Sequence, residues 1–462
     1  MKKNFINKGV ILGMALIFGT STVLGETVSN NKITNIASYS SDYEISESTS
    51  TKGVNYSSSK GGQNAILVSG GKSTLTDANV VKNGDETSTN SDVYGTNAAI
   101  LIYNGATLNV VNGSITTNGI HASGLFAYDK GIINVKNATI KTSSNYSAGL
   151  VVGGGVITAK NLNVETAGSY SPALKSTKEG GSITVTGGVY KTTGTDSPAI
   201  YSEADITVVD ANLTATASRG VVVNGANKVN LKNSKLKSTD MTLEEGETEY
   251  KNILLYQSED VKKGITYFTA KDGAINTNKG STLYVSNTNA VVELRNNSIT
   301  NSNGDFLHAE SSIWGTEGTN GANVNLTLSY QTVTGNIVID KLSSLDMTME
   351  DGSKYKGTIN GDNAASEVTL TLSKNSTVVL TGDSYVDKLT NVDDDNSNIY
   401  LNGHKLYVNG VAVSANEGAS PRVIEGEKDE GTNLFTIISA GVILMVVIVA
   451  LGLALIKNRK AN

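Results

Sequence analysis

Residues 124–140, GLFAYDKGIINVKNATI, and residues 149–164, GLVVGGGVITAKNLNV, are two copies of one pattern. Each opens on a small residue followed by an aliphatic one. An alternating strand-like stretch comes next, then Asn, then another short apolar stretch. The opening pair recurs at Ala65-Ile66, Ala99-Ile100, Gly124-Leu125, Gly149-Leu150, Ala173-Leu174, Ala199-Ile200 and Gly220-Val221. The aliphatic members are 34, 25, 25, 24, 26 and 21 residues apart. A second apolar set follows at Leu75, Leu108, Ile133, Ile157, Ile183, Ile206 and Val229, and a third at Val80, Ile115, Ile140, Val164, Val189, Leu213 and Leu236. Segments such as Ile133-Asn134-Val135 and Ile206-Thr207-Val208 alternate with a period of two, which places their apolar groups on one side of a strand. Three short strands per unit cannot hide those groups from water alone; unit stacked on unit can. The reading is an all-β solenoid with three strands per coil, successive coils ~4.8 Å apart.

Three residues ahead of each third-strand position stand Asp77, Asn112, Asn137, Asn161, Thr186, Asp210 and Asn233. Asn and Asp tolerate left-handed backbone angles, so this is a turn site whose side chains stack into a ladder. Its mixture of amides and acids favours a structural turn over a row of calcium ligands. With these repeats in place, residues 61–240 resemble right-handed parallel β-helix proteins: pectin-lyase-like folds and adhesin or autotransporter-passenger-like surface proteins. The later stretch, with Thr269-Ala270-Lys271-Asp272-Gly273, Asn289-Ala290-Val291-Val292-Glu293-Leu294 and Leu380-Thr381-Gly382-Asp383-Ser384-Tyr385-Val386, is similar to membrane-anchored, β-helical bacterial surface proteins. The resemblance implies the right-handed winding; the spacing does not.

The two ends bear on location. Lys2, Lys3 and Lys8, an apolar run from Val10 to Phe18, and Val23-Leu24-Gly25 before Glu26 fit a secretory signal over residues 1–25, with an uncleaved anchor as the alternative. Leu434–Ile456 is 23 residues without a charge, followed by Lys457, Arg459 and Lys460. It is long enough for a transmembrane helix, with the basic tail (457–462) on the cytoplasmic side. The expected plan is a leader and N-terminal cap over 26–60, and a β-helix over 61–412 with a charged loop at about 240–264 around a short strand at Ile253–Tyr256. An acidic flexible stalk over 413–433 and the span over 434–456 complete it. Strands are expected at Thr282–Val285, Ala290–Leu294, Val324–Leu328, Ile337–Ile339, Val368–Leu372 and Thr377–Leu380. A hairpin around Asn402-Gly403-His404 is expected to close the end.

Composition narrows the chemistry. The chain has 462 residues, no Cys and three His, which excludes disulfides, a thiolate metal site and a cysteine nucleophile. Without the two ends, 31 basic face 43 acidic side chains, a balance of −12 that disfavours nucleic acid and repels polyanionic glycans unless cations bridge them. No paired carboxylates are set for glycoside hydrolysis, and Gly403-His404-Lys405 is only a partial echo of a Gly-His-Gly motif. The acid run Asp393-Asp394-Asp395 could offer calcium oxygen ligands, but its spacing is not that of an EF-hand and a solvated turn is expected. His308 beside Phe306 and Leu307 reads as a partly buried structural histidine. Trp314 could stack on a sugar, and the 19 Tyr suggest exposed rings borne on strands. No catalytic, metal or cofactor residue is assigned. The expected function is non-enzymatic adhesion or recognition of a glycan or envelope protein at a bacterial cell surface, with avidity from clustered copies. The alternatives are a pectin-lyase-like lyase or hydrolase and a self-assembling structural element.

Overall fold

A computed structural model describes residues 38–418, apart from 240–242, 244–246, 260 and 374. It is a parallel β-solenoid of about 15 turns. The first face is a sheet of twelve strands that runs from Ser41–Ile45 to Asn336–Ile339. In it Ile66, Ile100, Leu125, Leu150, Leu174, Ile200 and Val221, the aliphatic members of the repeat, form one column, each paired with the next. That column continues through Ile253, Leu283, Leu307 and Ile337. The second and third faces are formed by strands such as Ile132–Lys136 and Thr139–Thr142. They merge into one 22-stranded sheet because Val156–Thr166 and Ser182–Thr192 each run around the corner without a break. The inward residues of all three faces make a single core along the stack. Each fully buried aliphatic side chain contributes about 1.5–3 kcal/mol to it.

The corner between the second and third faces is the Asn/Asp ladder. Asp77, Asn112, Asn137, Asn161, Asp210 and Asn233 all have φ between 47° and 55°. The ladder runs on through Asp272 and Asn296, and amide-to-carboxylate bonds tie rungs together: Asn233 Nδ2 to Asp210 Oδ1 at 2.7 Å and Asn296 Nδ2 to Asp272 Oδ1 at 2.8 Å. One coil departs from the expected register. The left-handed residue there is Gly187, not Thr186, and Gly188 is left-handed too. The following strand keeps the register of its neighbours, Tyr190 pairing with Val164 and Leu213, so Tyr190 enters the core column while Val189 is 43% exposed.

The opposite corner, between the third and first faces, is satisfied by hydroxyls. Thr142, Thr166 and Thr192 each donate from Oγ1 to the carbonyl of the Ser five residues on. Those serines link coil to coil, Ser147 N to Ser171 Oγ and Ser171 N to Ser197 Oγ, both at 2.9 Å. His121, Tyr146 and Tyr170 at this corner are left-handed and stack ring on ring, 4.6 and 5.1 Å between centroids.

Several boundaries differ from the sequence expectation. The solenoid begins before residue 61: Ser41–Ile45, Ser50–Lys52 and Asn55–Ser58 already pair with the next coil. In the coil that opens on Ile66 it is Ser73, not Leu75, that stands opposite Leu108; Leu75 faces Val110, still on the buried side. Within the charged 240–264 stretch, Lys251–Tyr256 is a complete, wholly buried rung of the first face. The closing hairpin is one Asn-Gly later than expected. Leu406–Val408 pairs antiparallel with Val411–Ala412 across Asn409-Gly410, both at positive φ as a two-residue hairpin requires. Asn402-Gly403 instead turns the chain from the third-face strand Ile399–Tyr400 to Leu406–Val408 in a different sheet. Among the described residues no helix is long and apolar enough to cross a membrane. The segments expected as signal (1–25), most of the stalk and the membrane span (434–456) lie outside the described residues.

Candidate binding surfaces

Two surfaces stand out. The first follows from alternation on the second face, where every inward aliphatic residue is flanked by an outward polar one. Register places one outward position of each coil in a single row. It runs from Thr74 through Asn109, Asn134, Thr158, Thr184, Thr207 and Asn230 to Thr269. Glu293 interrupts it, and it resumes at Thr327, Thr348, Thr371 and Thr390. Every rung but that one is Thr or Asn. Some rungs bond along the row, Asn134 Nδ2 to Asn109 Oδ1 at 3.1 Å and Thr269 Oγ1 to Asn230 Oδ1 at 2.7 Å, which fixes their orientation. Two residues further along each strand lies a second row that includes Lys136, Lys160, Lys232, Lys271 and Arg295, all exposed. The acidic balance of the chain is therefore not spread evenly; one edge of this face is basic.

The second surface lies on the outside of the first face. Most of the outward side chains there are apolar and covered. Leu67, Leu101, Phe126 and Val151 pack in one cluster with Tyr39, Tyr103 and Tyr128; Tyr201, Val222, Leu254, Tyr256 and Tyr284 pack in another with Trp314. Beside the second cluster is a cleft of about 330 Å³ lined by Glu247, Glu249, Lys251, Tyr284, Glu310, Ser311 and Asp340. Glu247 is buried between two cations. Its Oε2 accepts from Arg219 Nη2 and its Oε1 from Lys251 Nζ at 3.1 Å. Burial lowers the Lys251 pKa, and Glu247 opposes that shift. Asp340 accepts from Ser311 N and Oγ, Ser343 Oγ and Leu342 N; burial raises its carboxyl, but these bonds prevail and hold it below its ordinary value.

His308 adjoins two carboxylates of this cleft, Glu249 and Glu310. It follows Tyr284 in the outward column of the first face, and its side chain is 10% exposed. Its Nδ1 lies 2.9 Å from Glu249 Oε2 and 3.0 Å from Glu310 Oε2. Its Nε2 faces Asp305 Oδ2 at 3.6 Å and has no hydrogen-bond partner. Burial disfavours the charged ring, but the two carboxylates outweigh it and push its pKa up to about 10. His308 is thus more than the partly buried residue its apolar neighbours imply. Nothing near it in sequence except Glu310 announces the site, because Glu249 comes from another coil.

Of the other residues singled out in the sequence, Asp393 and His404 stay apart from both surfaces. Asp393 uses its carboxylate within its own turn, accepting from Ser397 Oγ at 2.6 Å and Asn398 N at 3.2 Å. His404 sits in the corner after Ile399–Tyr400, its N–H bonded to Leu401 O. Trp314 is half-buried with its ring 4.4 Å from that of Tyr256, so it covers the apolar cluster. Many tyrosines are not exposed: Tyr56, Tyr190, Tyr201, Tyr256, Tyr284 and Tyr355 are buried, and hydroxyls such as Tyr355 Oη find backbone carbonyls, here Thr358 O at 3.0 Å. Comparison with models of protein families, with curated proteins and with solved structures finds no match.

One buried acid gives a pH test of this face. Glu203 Oε1 accepts from Tyr201 Oη at 3.1 Å and Asn224 Nδ2 at 3.0 Å, and burial raises its pKa. A carboxyl whose folded pKa lies above the unfolded value contributes most stability in acid and loses it as pH rises through the folded pKa. Glu203→Gln is therefore expected to be near neutral at pH 4 and stabilising at pH 8. Urea titrations at the two pH values measure it; equal effects at both would contradict the assignment.

Proposed function

We propose that the chain is a non-enzymatic cell-surface protein that recognises an extended glycan of the bacterial envelope along its second face. The observation that carries this reading is the unbroken Thr/Asn row from Thr74 to Thr269. Its hydroxyls and amides recur every ~4.8 Å, close to the rise of one sugar ring in an extended chain, so successive rings meet the same donors and acceptors. The adjacent row with Lys136, Lys160, Lys232 and Lys271 suits a glycan with carboxylate substituents on one side. Each contact is weak, and repetition along the stack supplies the affinity.

In this reading residues 1–25 direct export and 434–456 form a single membrane span, with the solenoid outside. The family resemblance adds the right-handed, pectin-lyase-like winding. A stack of about 15 turns is only ~70 Å long. That favours a ligand within or near the wall over a distant receptor. Nucleic acid is not expected as a partner, since phosphate contacts would run along one edge of an otherwise acidic chain.

The test is an array of neutral and acidic glycans probed with the full-length protein. Binding to extended acidic glycans is expected, weaker at high salt. A Thr158→Glu/Thr184→Glu/Thr207→Glu variant, checked for its fold by circular dichroism, is expected to bind at least about tenfold less tightly. No binding, or binding indifferent to the row, ends this reading. Release of reducing or unsaturated ends from a bound glycan would replace it with a lyase or hydrolase.

A further inference from the structure

We propose that Glu249, His308 and Glu310 form a binding site for a zinc-type divalent transition-metal ion that clamps separate coils of the solenoid together. The three ligand atoms, two carboxylate oxygens and His308 Nδ1, lie within 4.8 Å of one another. Both carboxylates converge on the same nitrogen, at 2.9 and 3.0 Å. One imidazole N–H offers a single hydrogen, so it cannot bond both anionic oxygens well. A cation at that point, taking the place of the Nδ1 hydrogen, which leaves to solvent, serves all three lone pairs at once. Zinc bonds of ~2.0–2.2 Å directed to tetrahedral corners set neighbouring ligand atoms roughly 3.4 Å apart, so each carboxylate oxygen needs to move only about half an ångström away from Nδ1, and the two oxygens already lie within 4.8 Å of each other.

Two independent features point the same way. The ring's second nitrogen, in a side chain nine-tenths buried, has no hydrogen-bond partner but faces Asp305 Oδ2 at 3.6 Å. A ligating histidine characteristically turns its other N–H to a carboxylate, and binding through Nδ1 fixes the tautomer that makes Nε2 that donor. Charge is the second feature. Glu247, Glu249, Asp305, Glu310 and Asp340 are set against Arg219 and Lys251, an excess of acid that a divalent ion offsets. The mixed nitrogen and oxygen set favours zinc or a neighbouring transition metal over calcium, which takes six to eight oxygens. The cleft that Glu249 and Glu310 line leaves room for water as a fourth.

The site also has a structural logic. Glu249 precedes the rung Lys251–Tyr256, whereas His308 and Glu310 belong to the rung two coils on, with Tyr284 of the intervening coil between them. An ion held by all three would fasten the segment ahead of Lys251 across two coil boundaries. This site is on a different face from the Thr/Asn row, so its failure leaves the glycan reading untouched.

The experiment titrates untagged full-length protein with zinc chloride and, separately, calcium chloride by isothermal calorimetry. One zinc ion per chain is expected, with micromolar or tighter affinity, and much weaker calcium binding. Glu249→Gln/Glu310→Gln, which preserves shape, is expected to weaken zinc binding at least about tenfold, and Asp305→Asn by less. Asp393→Asn/Asp395→Asn should leave it unchanged. A measurement that needs no variant accompanies these: zinc should protect the segment before Lys251 from limited proteolysis in the wild-type protein. Absent zinc binding, full binding in Glu249→Gln/Glu310→Gln, or unaltered proteolysis overturns the proposal.

Discussion

Replacing Ile183 by Asp is expected to destabilise the solenoid by at least about 5 kcal/mol and to split its unfolding into two transitions. Ile183 is fully buried, stacked between Ile157 and Ile206 in the core column of the second face. Truncating such a side chain alone costs ~2–5 kcal/mol. A carboxylate in its place also loses its hydration with no partner of opposite charge in an apolar column. In a solenoid each coil is stabilised by its two neighbours, so one broken coil uncouples the parts on either side. Denaturant titration followed by circular dichroism should show the lower-stability part melt first. Limited proteolysis should cut near Thr177–Ser182, ahead of the altered strand. Thr184→Asp is the control: the same charge one residue on points outward into solvent, and its cost is expected to stay within ~0.5 kcal/mol. Equal costs at the two positions would contradict the assigned register, because a slip by one residue exchanges the faces of the strand.

The repeat was legible because the core is periodic and local. Ile100, Leu125, Leu150 and Leu174 each need the same neighbour one coil away, so one chemical requirement recurs at nearly constant spacing. The later strands were legible for the same reason: Val368–Leu372 and Thr377–Leu380 alternate clearly, and the structure has them at Glu367–Leu372 and Thr377–Leu380. The misreadings come where residue type disguises the phase. Gly187, not Thr186, stands in line with Asn161 and Asp210, so Tyr190, not Val189, points inward. A large aromatic residue with a hydroxyl looks like a surface choice until its Oη is seen to reach Gly187 O at 3.4 Å. The 34-residue gap between Ile66 and Ile100 is the trace of an insertion that carries the short helix Asn90–Tyr94. Its Asp92 bonds His121 at 2.9 Å, a contact across coils that no local pattern signals.

The binding surfaces were legible to different degrees. Thr and Asn at outward positions were visible as the polar half of the alternation, but a straight row exists only once register is known. The basic row is more hidden, because Lys136, Lys160, Lys232 and Lys271 are far apart in a chain whose net charge is negative. The Glu249–His308–Glu310 cluster is the least legible. It joins residues nearly sixty positions apart through a segment whose composition reads as a solvated loop. That loop is not simply solvated: the rung it contains is buried throughout, and Glu247 and Glu249 ahead of it pair with Arg219, Lys251 and His308.

Removal of the Glu247 carboxylate is the second change with a large expected effect. Its side chain is only 2% exposed and lies between Arg219 and Lys251, themselves almost fully buried. Glu247→Ala takes away the anion that two desolvated cations share, and losing one partner of such a group costs ~3–5 kcal/mol. Glu247→Gln keeps the acceptor oxygen without the charge and should cost less. Arg219→Met/Glu247→Leu/Lys251→Met removes every member together and is expected to lie within about 1 kcal/mol of the wild type, since apolar packing replaces the ion pairs. Denaturant midpoints of the three proteins measure this order. If Glu247→Ala and the triple variant were equally stable, the carboxylate would not be compensating buried charge. The cleft gives the same substitution a second readout. Glu247 holds the segment that presents Glu249, two residues along, so Glu247→Ala should weaken zinc binding although it removes no proposed ligand. Zinc in excess should in turn recover part of the lost stability, because an ion bound only by the folded arrangement draws the segment back onto the first face.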